Sequence, residues 1–214
     1  MKRIVMVCAV LGALAAPARA DILTLYAAAQ GGGAMGRGVS GDAKSAAFHK
    51  GTSGATYGAL VGAEVFWVDG WIEHSQYADS GGLLGTWTQF MLGFDLKMHF
   101  GDQRGGHLVK GHRKGDGVYQ VGYAELGIGT GFGVGTGQQV MPPLDNAQVT
   151  DKGFLVQTSF ALGYRLNRVV SLNLRIPIQA GYMFKNGIVN NNSNQYISVQ
   201  GAVLAGLRFE FQLK

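Results

Sequence analysis

Three residues in a row, Glu73-His74-Ser75, bring together the carboxylate, imidazole and hydroxyl from which hydrolytic sites are made. In an extended chain, however, neighbouring side chains point to opposite faces, so His74 and Ser75 cannot meet on a regular strand. A nucleophile needs its base within hydrogen-bond reach, and no second histidine is placed to serve. His107 and His112 lie five residues apart in a glycine-rich segment, and no further residues complete a metal site. The run "GIGTGFGVGTG" (residues 127–137) has Phe132 where the third glycine of a dinucleotide-binding fingerprint belongs. The expectation is a protein that is not an enzyme and has no cofactor and no metal.

The remaining chemistry is ionic and follows a two-residue period. Asp95 and Lys97 alternate with Phe94, Leu96 and Met98, and Arg208 and Glu210 alternate with Leu207, Phe209 and Phe211. Around residue 175, Leu172, Leu174, Ile176 and Ile178 share one face and Asn173, Arg175, Pro177 and Gln179 the other. Such alternation reads as strands with one apolar and one polar face. Eight strands are predicted, at about 22–33, 55–68, 71–77, 86–100, 118–132, 153–165, 168–185 and 195–213. The third, "WIEHSQY", has no clean apolar face; it is retained because Asp69-Gly70 is a two-residue hairpin signal and because bacterial single-chain barrels have even strand numbers.

Composition bounds what these strands build. Lys2 and Arg3, the apolar run 4–14 and the ending Ala18-Arg19-Ala20 have the three parts of a secretory signal peptide, assigned to residues 1–20. The only cysteine, Cys8, lies within it, so residues 21–214 carry no disulfide or thiolate chemistry. Without the signal, 15 basic residues face 13 acidic ones, which leaves no basic stripe for nucleic acid. Charged residues make up 14% of the chain, against about 25% in soluble domains. No later apolar run approaches the ~20 residues of a spanning helix. An exported, charge-poor chain of alternating strands fits the other structure that spans a bilayer, a closed barrel.

The expected fold is all-β, an eight-stranded antiparallel transmembrane barrel of up-and-down topology over residues 21–214. Short turns at Asp69-Gly70 and Leu166-Asn167 oppose long connections at 34–54, 78–85, 133–152 and 186–194; segment 101–117 breaks the rule by being long on the short-turn side. Tyr57, Trp67, Tyr182 and Phe184 stand where interfacial aromatics would. By register the polar face carries Glu64, Asp95, Lys97, Glu125, Arg165, Arg175, Arg208 and Glu210, four acids and four bases, as a closed lumen requires. Arg175 is expected to meet a carboxylate there, and Pro177 to mark a bulge or break in its strand's ladder. Gly127, Gly129 and Gly131 share the face of Glu125, and would either open a vestibule in the outer lumen or let the backbone curve.

In this pattern the chain resembles the small eight-stranded outer-membrane barrels of the OmpA- and OmpX-like type. "GLRFEF", with Gly206, Phe209 and Phe211, is similar to the C-terminal signal read by the outer-membrane assembly machinery, although Gln212-Leu213-Lys214 follow it. The resemblance implies a porin-like protein of the Gram-negative cell envelope, partnered by outer-membrane lipid and that machinery. It spans anchors, adhesins, small channels and a few lipid-modifying enzymes. The function expected is structural or surface-interacting, with a lumen plugged by side chains. The alternatives are a narrow channel for ions or small polar solutes and, more distantly, a lipid-modifying enzyme. The basic segment 101–117, with Arg104, Lys110, Arg113 and Lys114, suits an anionic or periplasmic partner.

Overall fold

The structure, a computed structural model, describes residues 23–41, 50–79, 84–104, 107–108, 119–141, 144–167, 169–186 and 194–213. The assigned signal peptide lies outside the described residues, as do Lys110, Arg113 and Lys114. Eight long antiparallel strands are present: β1 (Leu23–Gly41), β2 (Lys50–Val65), β3 (Val68–Asp79), β4 (Leu84–Arg104), β6 (Tyr119–Met141), β7 (Leu144–Arg165), β8 (Val170–Asn186) and β9 (Asn194–Leu213). A two-residue strand, β5 (His107–Leu108), pairs with the end of β4. Each long strand pairs with its neighbours in order, β1 pairs with β9, and β3–β4 pairing completes the ring. Closure leaves the eight-strand ring no free edge, so its backbone groups are satisfied without water.

The strands are longer than the alternation suggests. Most of the expected outer connections 34–54 and 133–152 belongs to strands: β1 continues to Gly41, β2 begins at Lys50, and β6 and β7 run to Met141 and from Leu144. Segment 101–117 likewise begins as strand, with Gln103 opposite Leu108 and Arg104 opposite His107. Asp69-Gly70 is not a turn. The hairpin turns three residues earlier, at Phe66-Trp67, between the paired Val65 and Val68. Phe66 takes a φ of 58°, a left-handed conformation more usual for glycine in such turns. The β7–β8 turn is held by Asn167, whose Oδ1 accepts from the backbone N–H groups of Val169 and Val170 at 2.8 Å. At Pro177 the β8–β9 ladder skips residues 176 and 177 without changing register, a break rather than a bulge.

The alternation sorts apolar residues outward. Phe94 is 62% exposed and Leu92, Leu126, Ile128, Val203 and Phe211 are similarly open, whereas Gln157 inside the ring is 2% exposed. This inverts a soluble protein and matches a wall facing hydrocarbon. Rows of outward residues follow the register, as in Val61–Ile72–Phe90–Phe132–Phe154–Tyr182. Phe132 and Phe154 meet edge-to-face at 5.8 Å. Toward the loop end the outside turns polar: on β3, Ile72 is followed by outward His74, bonded to Thr88, and Gln76, bonded to Tyr57. Tyr57, Trp67 and Tyr182 are exposed and Phe184 is partly so, with its ring edge-on to Tyr182 at 5.2 Å.

A charge in the middle of the apolar band should therefore cost more than one at its polar margin. Phe94→Arg is expected to lower the unfolding free energy in lipid by about 2–4 kcal/mol and Gln76→Arg by about 1 kcal/mol or less, as read by urea titration of vesicle-inserted protein.

Candidate functional site: the filled lumen

The inner faces hold two polar layers with an apolar collar between them. The layer near the turn end gathers Lys97, Arg165 and Arg208 among Glu64, Glu125 and Glu210. Lys97 Nζ lies 3.6 Å from Glu64, 3.4 Å from Glu125 and 3.0 Å from Glu210. Arg165 Nη2 donates to Glu210 at 2.8 Å, and Arg208 Nη1 donates to Glu125 at 3.0 Å. Two tyrosine rings receive the cations: the Arg208 guanidinium sits 4.2 Å from the Tyr26 ring centroid and Lys97 5.1 Å from that of Tyr123. Charges removed from water are stable only when paired and hydrogen-bonded in this way.

Tyr26 donates to the Asp69 carboxylate at 2.6 and 2.7 Å, and the Asp69 carboxyl also meets that of Asp95. Asp69 was absent from the expected luminal set because Asp69-Gly70 read as a turn; in β3 it points inward and is 3% exposed. The expected balance of four acids and four bases is corrected accordingly, since Asp69, Glu73 and the fully buried Asp151 of β7 add three carboxylates.

Glu73 belongs to the second layer, nearer the loop end, and is the carboxylate that meets Arg175. Arg175 Nη1 donates to Glu73 Oε2 at 3.0 Å, Gln89 Nε2 donates to the same oxygen at 2.9 Å, and Gln30 Nε2 donates to Oε1 at 2.7 Å. Gln89 also donates to Gln157 Oε1 at 3.1 Å and accepts from Trp87 Nε1 at 3.0 Å. Three side chains from β1, β4 and β8 thus converge on one carboxylate of β3. The collar below them includes Ala28, Leu60, Trp71 and Met91, all buried. Ser75 faces inward and His74 outward, so the Glu73-His74-Ser75 trio is split across the wall. Among the described residues no cluster of metal-binding side chains occurs.

The glycines of β6 do not leave open space. A Cβ on Gly129 would stand 2.6 Å from the Trp71 ring, and one on Gly133 2.3 Å from the Trp87 ring. At Gly127 it would meet Asp95 Oδ1 at 2.2 Å, and at Gly131 the Phe90 carbonyl oxygen at 1.9 Å. The vestibule expected at Gly127, Gly129 and Gly131 is thus replaced by close packing. The same device recurs elsewhere: the Tyr26 ring covers Gly62 and the Tyr123 ring covers Gly163. Near the C-terminus Phe209 and Phe211 face outward, and Gly206 approaches the β1 backbone so closely that a Cβ would reach 1.9 Å from the Ala29 oxygen.

Two substitutions follow from this packing. Glu73→Leu strands Arg175 and should cost about 3–5 kcal/mol of unfolding free energy, most of it recovered in the Glu73→Leu, Arg175→Met double variant. Gly163→Val should prevent barrel formation, with Tyr123→Ser restoring it, as followed by heat-modifiable electrophoretic mobility of refolded protein.

No protein-family model matches the sequence, and no curated protein matches it. Among solved structures, the chain is similar to the crystal structure of Neisserial surface protein A, with a TM-score of 0.54 at 11% identity, over 87% of this chain and 97% of that one. It also matches the outer membrane protein OprG from Pseudomonas aeruginosa, with a TM-score of 0.41 at 12% identity, over 88% of this chain and 96% of that one. With its closed ring, outward apolar wall and filled polar lumen, the chain has the fold of the small eight-stranded outer-membrane β-barrels.

Proposed function

We propose that the chain is an outer-membrane protein with a non-enzymatic role in envelope structure or surface interaction, and with a lumen kept shut by its own side chains. The turn end, where β1 begins and β9 ends, faces the periplasm, and the loop end faces outward. One observation carries this reading: the Glu73 layer, where Arg175, Gln89 and Gln30 fasten one carboxylate across the ring. An eight-stranded ring is only wide enough for side chains to fill it, and here they bridge it twice, at this layer and at the Lys97–Arg208 layer. A narrow channel is the second reading, favoured only by the ionic character of both layers. The lipid partner is read from the apolar wall, and recognition by the assembly machinery from Gly206, Phe209 and Phe211.

The deciding measurement is single-channel conductance of refolded protein, shown to be folded and inserted in a planar bilayer. The expected result is no steady conductance from the native sequence. Steady openings whose size changes in Arg175→Ala would replace the closed barrel with the channel.

A further inference from the structure

Above the Glu73 layer, toward the loop end, lies a cavity of about 30 Å³ with mixed polar and apolar walls, room for roughly two waters. Its wall includes three glutamines in one register row: Gln157 on β7 is directly opposite Gln179 on β8, which is directly opposite Gln200 on β9. Thr56, Ser75 and Trp87 line it from β2, β3 and β4. The amide nitrogens of Gln157 and Gln179 are buried and have no protein partner, although each side chain as a whole is more than nine-tenths buried.

The balance of donors and acceptors determines what can bind. Among the described residues of the lining the one carboxylate is Glu73, whose Oε1 accepts from Gln30 and Oε2 from Gln89 and Arg175. The Gln157 oxygen already accepts from Gln89. The site therefore has spare N–H donors beside a hydrogen-bonded carboxylate. A cation would compete with Arg175 and two amides for Glu73, and an anion would sit beside that carboxylate. A neutral carbonyl oxygen satisfies amide donors without adding charge to the low-dielectric interior.

We infer that the outer half of the lumen is a binding site for a neutral amide-type carbonyl, which the Gln157–Gln179 amide nitrogens hold above the Glu73–Arg175 floor. The size of the cavity limits the occupant to a small amide or to the terminal carboxamide or acetamido group of a larger molecule reaching in from the loop end. Water is the competing occupant, and the site binds a solute by exchanging those waters for one oriented carbonyl.

The test uses the refolded full barrel in detergent micelles, with acetamide as the probe and side-chain amide NMR signals as the readout. Gln157→Leu and Gln179→Leu assign the two signals by their loss. Acetamide is expected to shift both with one shared saturable curve, while exterior Gln76 moves only linearly. Gln179→Glu, which keeps the size but exchanges donor for acceptor, should weaken binding at least tenfold, and it decides the matter if the leucine variant does not fold. Sodium acetate should bind at least tenfold more weakly than acetamide. Linear, unsaturated shifts equal to those of Gln76 would overturn the site and leave it to water. Acetate binding as tightly as acetamide would overturn the neutral-carbonyl assignment.

Discussion

The width of the interior governs everything else in this protein. Eight strands close into a ring whose inside is no wider than the side chains that fill it. No bulk water remains to solvate a charge, so each ionic group must find its counter-ion and hydrogen bonds within one or two side-chain lengths. The Lys97–Arg165–Arg208 cluster meets this demand by sharing: Glu210 alone receives Lys97, Arg165 and Arg208. The Glu73 layer meets it differently, surrounding a single ion pair with amides.

The same narrowness explains the glycines. A tyrosine or tryptophan lying flat in so small a lumen needs a place on a nearby strand with no Cβ, and each of four luminal aromatics has one: Tyr26 over Gly62, Trp71 over Gly129, Trp87 over Gly133 and Tyr123 over Gly163. Two of these glycines come from the run 127–137, whose regular spacing resembles a loop or vestibule signal when viewed alone. Its meaning lies in partners distant in sequence, brought opposite by register, and register cannot be read from one strand at a time.

The two-residue period made eight strands, their faces and the inward charges on β2, β4, β6, β7, β8 and β9 legible, because those strands are apolar outside and polar inside along most of their length. On β3 the contrast fades for a physical reason. Its outward face leaves the apolar band just after Ile72, so outward His74 and Gln76 are as polar as inward Glu73 and Ser75. Without that contrast Asp69-Gly70 was the strongest local signal, and it read as a turn. The actual turn, Phe66-Trp67, carries none of the usual turn residues; two large apolar residues stand there, both exposed at the end of the apolar wall. The misplaced turn hid Asp69, the missing contrast along 71–77 left Glu73 without a face, and reading 133–152 as a connection hid Asp151.

The order of layers also bears on what the barrel can do. Buried Ala28, Leu60, Trp71 and Met91 lie between the two polar layers along β1 to β4. An ion crossing the lumen would have to displace the Glu73 pair, pass apolar side chains without solvation, and then break a cluster in which three bases share three glutamates. Each barrier rests on a different interaction, and no single pair exchange lowers all three. On the loop-end side of the closure the lumen keeps the polar row Gln157, Gln179 and Gln200. The proposed carbonyl site lies there, above the closure, while the turn-end cluster holds the ring around its own charges.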